Sequence, residues 1–464
     1  MNKTAERFVI ALGGLYVLVL GWAMGNVSYD VWGAFLLLPP IALTSIAILR
    51  RVFSDNSSGL FKIAAIGLGA KFVGTIFRYW LTYSSYGGAS DAEGYHLAAK
   101  ALAADIRSGN VSLTKIIPSG TNTAFIRSLT TTIYTVVGSS RFAGFVIFAW
   151  MAYWGSLLFL RAAMIAIPRL AARRYAYLVF LTPSLLYWPS SIGKEAWIFL
   201  NLGIATYGVA RVLAGRWGPS SIVLIVVGLT GAGVVRPHFA AIWVGALVIA
   251  LFAGLFARRT ERSGRKRLVT LGLLVVAVGG LYAVGGATLR FLNQSNSGDS
   301  TAAVTTQVTK LFATTNHRTS EGGSSFQTIT INGPKDWPYA IVRTLTRPLL
   351  YEARSVAELI PAVEMTFLLV LAVFSWRRFF NVFHMARRTP YLIFAFVVLC
   401  VFGLAFASFG NLGILTRQRS LIMPLFLLPW ALPPWHAKQA ERPDVDAGRA
   451  SDLRDAGNAS LIAR

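Results

Sequence analysis

Apolar runs of about 20 residues, separated by shorter polar segments, recur along most of this 464-residue chain. Each run is long enough to cross a bilayer as a helix, and few runs contain charged residues. The pattern predicts twelve spans: 8–25, 31–50, 59–83, 142–163, 173–190, 194–213, 219–236, 238–257, 267–288, 356–376, 389–409 and 413–434. The alternative is a count that differs by two helices, for example through a further helix around 122–137. We therefore expect an all-α, polytopic integral membrane protein whose transmembrane domain covers residues 1–435.

Two long polar segments, about 84–141 and about 289–355, interrupt this regularity. Within the first, the apolar periodicity of residues 96–106 predicts an amphipathic helix that lies along the membrane surface. The second is rich in Ser, Thr, Gly and Asn, which is typical of a flexible lid over a site. Residues 436–464 have mixed charge and no apolar periodicity, and they predict a disordered cytoplasmic tail.

Composition supports a membrane protein, because a chain with 55% hydrophobic and only 14% charged residues has more apolar surface than a soluble fold could bury. The net charge of +25 comes from basic residues that cluster between apolar runs, for example at 258–267 and 377–388. Under the positive-inside rule these clusters are cytoplasmic, which places both termini inside and both long segments outside. We therefore expect no nucleic-acid partner. Cys400 lies in an apolar run, so no disulfide framework or cysteine-based metal site is expected.

The first candidate group, Asp91, Glu93 and His96, comes directly before the predicted surface helix. Two carboxylates and an imidazole within six residues can perform general acid-base catalysis or hold a divalent cation. The alternative is structural, because acidic residues favour the first turn of a helix on dipole grounds alone.

Lys194, Arg236 and His238 lie in two predicted outer turns. A lysine at a helix start is unfavourable to the helix dipole, so Lys194 calls for an anion, either Glu195 or a phosphate. Helix capping would explain Glu195 but not Lys194. Arg236 and His238 lie at the ends of otherwise uncharged spans, where ionisable residues are commonly functional, although Arg236 could also extend to lipid headgroups.

Arg347 and Glu352 close the second long segment, and Arg417 and Arg419 begin the last predicted span. Pro348 prevents a continuous helix through residues 343–354, so only local clustering of the arginines is expected there. Guanidinium groups suit bidentate binding of phosphate and do not lose their charge.

Together, these groups predict an outer site with excess cations and a few carboxylates, which suits an anionic, lipid-linked substrate. Glycosyl transfer needs a base for the acceptor hydroxyl and cations for the departing lipid phosphate. Asp91 or Glu93 is the expected base, with His238 or His96 as the alternative, whereas Arg236, Arg347, Arg417 and Arg419 would hold the diphosphate. No cofactor is required, and a divalent cation remains an open alternative.

Three motifs carry a resemblance to a known class: Ser90–Tyr95 before the surface helix, Arg347-Pro348 with Tyr351-Glu352-Ala353, and Gly410–Arg419. In these the chain resembles bacterial polytopic membrane glycosyltransferases of the GT-C kind and the Wzy-type polysaccharide polymerases. The first class implies an outer-loop aspartate as base, matched by Asp91 with Glu93; the second implies essential outer arginines. The resemblance further implies polyprenyl-linked sugar substrates, membrane lipid around the protein, other envelope polysaccharide assembly proteins as partners, and the bacterial cytoplasmic membrane as location.

A transporter or flippase of lipid-linked oligosaccharide is the alternative function. A flippase is expected to place charges at mid-span, whereas most of the charges above lie at predicted outer helix ends.

Overall fold

A computed structural model describes residues 3–53, 59–118, 120–257, 272, 333–353 and 356–435, and these ranges are helical without a β-strand. The helices are α1 Lys3–Asn26, α2 Tyr29–Trp32, α3 Leu38–Val52, α4 Leu60–Trp80, α5 Asp91–Arg107, α6 Thr123–Val137, α7 Arg141–Ala166, α8 Ala172–Leu181, α9 Pro183–Tyr187, α10 Lys194–Leu213, α11 Pro219–Val235, α12 Pro237–Ala257, α13 Trp337–Thr346, α14 Val356–Phe374, α15 Trp376–Ala386, α16 Pro390–Ala405, α17 Leu412–Arg419, α18 Met423–Phe426 and α19 Leu428–Ala431. The predicted span 267–288, the basic run 258–267 and the tail 436–464 lie outside these ranges, apart from residue 272.

Four of the described helices are long and apolar enough to cross a membrane, namely α4 with its π-helical extension to Ser85, α7, α10 and most of α12. A fifth span results if α14 and α15, which meet at a 79° bend, are counted as one. The all-helical prediction is thus confirmed, and these apolar helices support a membrane protein. The described helices do not confirm twelve spans.

Three predicted spans are divided in the structure: 31–50, 173–190 and 413–434. In every case a helix restarts with proline in its first turn: Pro39 in α3, Pro183 in α9, Pro424 in α18 and Pro429 in α19. Proline has no backbone N–H and clashes with the preceding turn, so it is tolerated at a helix start but not in the interior. Hydropathy alone did not resolve these breaks.

The first long polar segment is largely helical. The predicted surface helix is present as α5, although it begins at Asp91, five residues earlier than the apolar periodicity indicated. A second helix, α6, occupies 123–137, the stretch that left the count open, and buries Ile126 and Tyr134. α5 and α6 pack against each other, so this segment forms a two-helix cap rather than an irregular loop.

Close helix packing holds the centre of the bundle together. A Cβ on Gly203 of α10 would lie 2.8 Å from the carbonyl oxygen of Gly155 in α7, and a Cβ on Gly228 of α11 would lie 2.5 Å from the carbonyl oxygen of Asn201. Small residues at helix contacts let backbones approach closely, which is typical of helix association in membranes. The α7–α10–α11 core therefore depends on glycine at these crossings.

The break between α8 and α9 is stabilised by two buried groups of opposite charge. Glu364 of α14 accepts hydrogen bonds from the Ser184 hydroxyl, at 2.7 Å, and from its backbone N–H. Lys71 of α4 donates to the carbonyl oxygen of Leu185 at 2.7 Å. Broken helices within membrane proteins need such partners, because no water satisfies the freed backbone groups.

The bundle has two chemically different ends. At one end, basic residues hold neighbouring segments together, as Arg161 does by donating to the Val52 carbonyl and Arg174 by donating to Ser375. The carboxylates described below gather at the opposite end. Between the ends the surface is apolar, with Val73 66% and Phe367 61% exposed, as expected for helices that face lipid.

Candidate functional site

A cavity of about 360 Å³ lies at the end of the bundle where α4 finishes, α5 begins and the segment after α9 turns back. Its wall includes both charged and aromatic side chains: Arg78, Asp91, Arg417, Tyr86, Tyr187 and Trp188. Pockets that combine apolar or aromatic walls with a few placed charges are typical of ligand sites.

An ion-pair network lies against this cavity and joins residues that are distant in sequence. Arg417 of α17 donates to Asp91 Oδ2 at 3.0 Å and to Glu195 Oε2 at 2.7 Å. Arg236, which follows α11, donates to Glu195 Oε1 at 3.2 Å and to the Gln418 side-chain oxygen. Four elements, α5, α10, α11 and α17, therefore meet through one chain of charged groups.

The two carboxylates of the network differ in environment. The Glu195 side chain is 3% exposed and both of its oxygens accept from arginines, so it holds the cations in place. The Asp91 side chain is 59% exposed and pairs with Arg417 through Oδ2. Asp91 is therefore the carboxylate that a bound substrate can reach.

The neighbouring carboxylates favour the charged form of Arg417. Burial opposes the charge of Arg417, but Glu195 and Asp91 outweigh burial and raise the pKa of Arg417 above its ordinary value. Lys194, the first residue of α10, lies within electrostatic range of Arg236 and Asp91. With Arg78 in the cavity wall, four cations face two carboxylates, and this positive excess suits an anionic ligand.

Glu93 and His96 form a second cluster on another face of α5. Glu93 accepts from Arg141 Nη2 at 3.0 Å and from the Tyr83 hydroxyl at 2.9 Å. His96 Nδ1 lies 2.8 Å from the Tyr134 hydroxyl. Because Asp91 and Glu93 are two residues apart on a helix, their side chains point in different directions. The structure therefore does not bring these two carboxylates into one site.

His96 is fully buried in that second cluster, with its Nε2 atom 3.7 Å from Asp30. Burial lowers the pKa of His96 below its ordinary value, and the nearby Asp30 carboxylate opposes this only in part. His96 links α5, α6 and the start of the bundle, which is a positioning role for the helix that carries Asp91.

Arg347, Glu352 and Arg419 form a third, mainly structural group. Arg347 pairs with Glu352, which also accepts from the Leu349 backbone N–H at 2.9 Å. Arg419 is buried and donates to the carbonyl oxygens of Leu345, at 3.1 Å, and of Arg347. These contacts fix the end of α13 against α17, two residues from Arg417.

His238 lies outside all three groups. Its ring packs against Phe239, with centroids 4.9 Å apart, and against Phe406, with centroids 5.9 Å apart. Of the ten residues predicted for the site, the structure brings Asp91, Lys194, Arg236 and Arg417 together and places the others in neighbouring clusters or packing contacts.

Three residues of the site were not predicted. Glu195 was considered as a helix cap and as the anion beside Lys194, but not as the partner of Arg236 and Arg417. Arg78 was detectable as a single charge near the outer end of the apolar run 59–83. Gln418 carried no signal, because its role depends on the approach of Arg236 from a segment 182 residues away.

A divalent cation finds no ready site in the part of the chain that the structure describes, where no three or more His, Cys, Asp or Glu side chains come close enough to hold a metal ion. Asp91 and Glu93, the two residues proposed for such a role, each pair with a different arginine.

No protein-family model matches the chain, and no significant match occurs among curated proteins or solved structures.

Proposed function

We propose that this protein is a membrane glycosyltransferase or polysaccharide polymerase that transfers sugar from a polyprenyl-(di)phosphate carrier to an acceptor hydroxyl for cell-surface polysaccharide assembly. The observation that carries the proposal is the exposed Asp91 carboxylate, held by Arg417 in a cavity with an excess of cations. An acid-base group beside phosphate-compatible guanidiniums is the minimum that such a reaction requires.

The site lies on the extracytoplasmic side of the bacterial cytoplasmic membrane. Basic residues such as Arg161, Arg174 and Arg378 lie at the opposite end of the bundle, where Arg174 bonds Ser375 and Arg378 bonds the Leu432 carbonyl. Segments with many Lys and Arg residues stay in the cytoplasm. The cavity and its carboxylates then face outward, where lipid-linked sugars are assembled into polymers.

In the proposed reaction one proton moves to Asp91 and one electron pair moves to the leaving phosphate. An oxygen of Asp91 accepts the proton of the acceptor hydroxyl while the hydroxyl oxygen forms the new bond to the anomeric carbon of the donor. The bond between this carbon and the lipid phosphate oxygen breaks, and its electron pair remains on the leaving phosphate. Arg417 and Lys194 stabilise the charge that grows there, while Glu195 keeps the guanidinium of Arg417 oriented.

A flippase for lipid-linked oligosaccharide is the second candidate. Lys71 and Glu364 favour it, because buried charges within helices of a membrane protein commonly mark transport pathways. Both residues, however, bind backbone groups of the short helix α9, Lys71 at the Leu185 carbonyl and Glu364 at the Ser184 N–H. They satisfy the helix break, and this leaves the cavity with Asp91 as the better-supported centre of function.

The test is sugar transfer by purified protein in detergent, with a labelled polyprenyl diphosphate oligosaccharide as donor and acceptor. Wild type and the exposed surface variant Arg127→Gln are expected to form longer lipid-linked products, and Arg417→Ala is expected to form none while remaining folded. Absence of product from wild type, together with energy-independent movement of the labelled lipid across the membrane of proteoliposomes, would contradict the transferase assignment and support a flippase.

A further inference from the structure

Arg78 has an unusual environment at the end of α4. Its guanidinium lies over the ring of Tyr187, 4.5 Å from the centroid, and 5.3 Å from the ring centroid of Trp188. It donates to the Tyr187 hydroxyl through Nη1, whereas its Nε is buried without a hydrogen-bond partner. Within the described ranges no carboxylate lies within ion-pair distance of Arg78, in contrast to Arg417.

Arg78 is therefore a cation in the cavity wall without a carboxylate partner among the described residues. Arg78 is partly buried, so its guanidinium gains from an opposite charge, and cation–π contact with two rings supplies only part of that compensation. Arg417 is already shared between Asp91 and Glu195. An anion that enters the cavity therefore gains most from Arg78.

The surface next to Arg78 is apolar and exposed. Ile76 is 57% and Trp80 54% exposed on α4, and Tyr86 contributes a further exposed ring at the cavity itself. Tryptophan and tyrosine at such positions are typical of the membrane–water interface. A ligand with a phosphate at Arg78 can thus place a hydrocarbon chain along α4 without crossing the cavity.

We infer that Arg78 binds a phosphate group of a prenyl-linked substrate, which reaches the cavity from the lipid side along α4. Tyr187 and Trp188 hold the guanidinium in place, and because Nη1 bonds Tyr187 and Nε is buried, Nη2 is the group expected to donate to the phosphate. This inference rests on the proposed function for the identity of the sugar attached to the phosphate. Binding of the phosphate itself needs no transfer reaction.

The test is equilibrium binding of a radiolabelled prenyl diphosphate that carries no sugar, to purified protein in detergent. Arg78→Gln is expected to weaken binding at least about tenfold, which corresponds to about 1.4 kcal/mol, because the phosphate loses its hydrogen bond to a charged group. Arg78→Lys, which keeps the charge but loses the planar fork, is expected to fall between Arg78→Gln and wild type. The matched control Arg127→Gln removes an exposed arginine of α6 and is expected to bind as wild type does.

Competition distinguishes the two sources of phosphate. Unlabelled prenyl diphosphate is expected to displace the label, whereas inorganic diphosphate is expected to require a far higher concentration, because it has no chain to place along α4. Equal competition by inorganic diphosphate would overturn the approach from the lipid side and leave a soluble-anion site.

Unchanged binding in folded Arg78→Gln protein would overturn the inference altogether, even where wild type transfers sugar. The opposite combination, Arg78-dependent binding without transfer from any lipid-linked donor, would sustain the phosphate site and contradict the proposed function.

Discussion

Replacement of Glu195 by glutamine is the sharpest test of the ion-pair network. The glutamine keeps the shape of the side chain but removes the negative charge that Arg417 and Arg236 share at 2.7 and 3.2 Å. Two guanidiniums then face each other, and the new amide N–H₂ group directs a further donor toward one of them. We expect both a loss of stability and a loosening of Arg417 from Asp91.

The expected magnitude follows from burial. The Glu195 side chain is 3% exposed, whereas the Arg236 and Arg417 side chains are 16% and 25% exposed and can recruit some water. Loss of one partner from a buried pair costs about 3–5 kcal/mol, and partial hydration of the arginines places the expected value near the lower limit, about 3 kcal/mol.

The assay is reversible chemical unfolding in detergent, in a double-variant cycle with Arg236→Gln. Because the double variant no longer buries an unpaired arginine at this position, its destabilisation is expected to be less than the sum of the two single effects by about 1–3 kcal/mol. A Glu195→Gln protein within about 0.5 kcal/mol of wild type, or strictly additive effects, would refute the assignment of Glu195 as the residue that holds both arginines.

Two further predictions concern α5 and the helix core. Burial lowers the pKa of His96 below 6.5, so the unfolded state binds the proton more readily, and stability present above that pH is lost as the pH falls further. His96→Gln is expected to reduce this acid-dependent drop in melting temperature, and an identical pH profile would contradict the assignment. Gly203→Ala is expected to lose about 1–3 kcal/mol in chemical unfolding, because its Cβ meets a backbone oxygen at 2.8 Å. The control Gly69→Ala meets nothing within 4 Å, and equal stability of the two variants would refute the packing argument.

The sequence was most informative where periodicity and charge act locally. Helix α10 was predicted at 194–213, as observed, because an apolar run begins directly after a turn that contains Gly193. Helix breaks were harder to predict, because a proline within an apolar run can either kink a helix or begin a new one. Which of these occurs depends on tertiary partners such as Glu364, which accepts a hydrogen bond from Ser184 at the start of α9.

The candidate site was predictable only as a set of residue types at one end of the bundle. Asp91 and Arg417 are 326 positions apart, so their contact depends on how α5 and α17 pack. Helical spacing separates the directions of Asp91 and Glu93, but which of the two faces the cavity depends on how α5 packs against α6. Arg419 was predicted to bind phosphate, but in the structure its guanidinium donates to backbone carbonyl oxygens.

The most direct measurement of the central claim separates binding from transfer in the Asp91→Asn variant. Asparagine can still accept a hydrogen bond from Arg417 but cannot take up the acceptor proton, so donor binding is expected to stay within about twofold of wild type while transfer falls by about 10²–10⁴-fold. Both are measured with the labelled polyprenyl diphosphate oligosaccharide on the same preparation. Transfer by Asp91→Asn at the wild-type rate would contradict the assignment of Asp91 as the base.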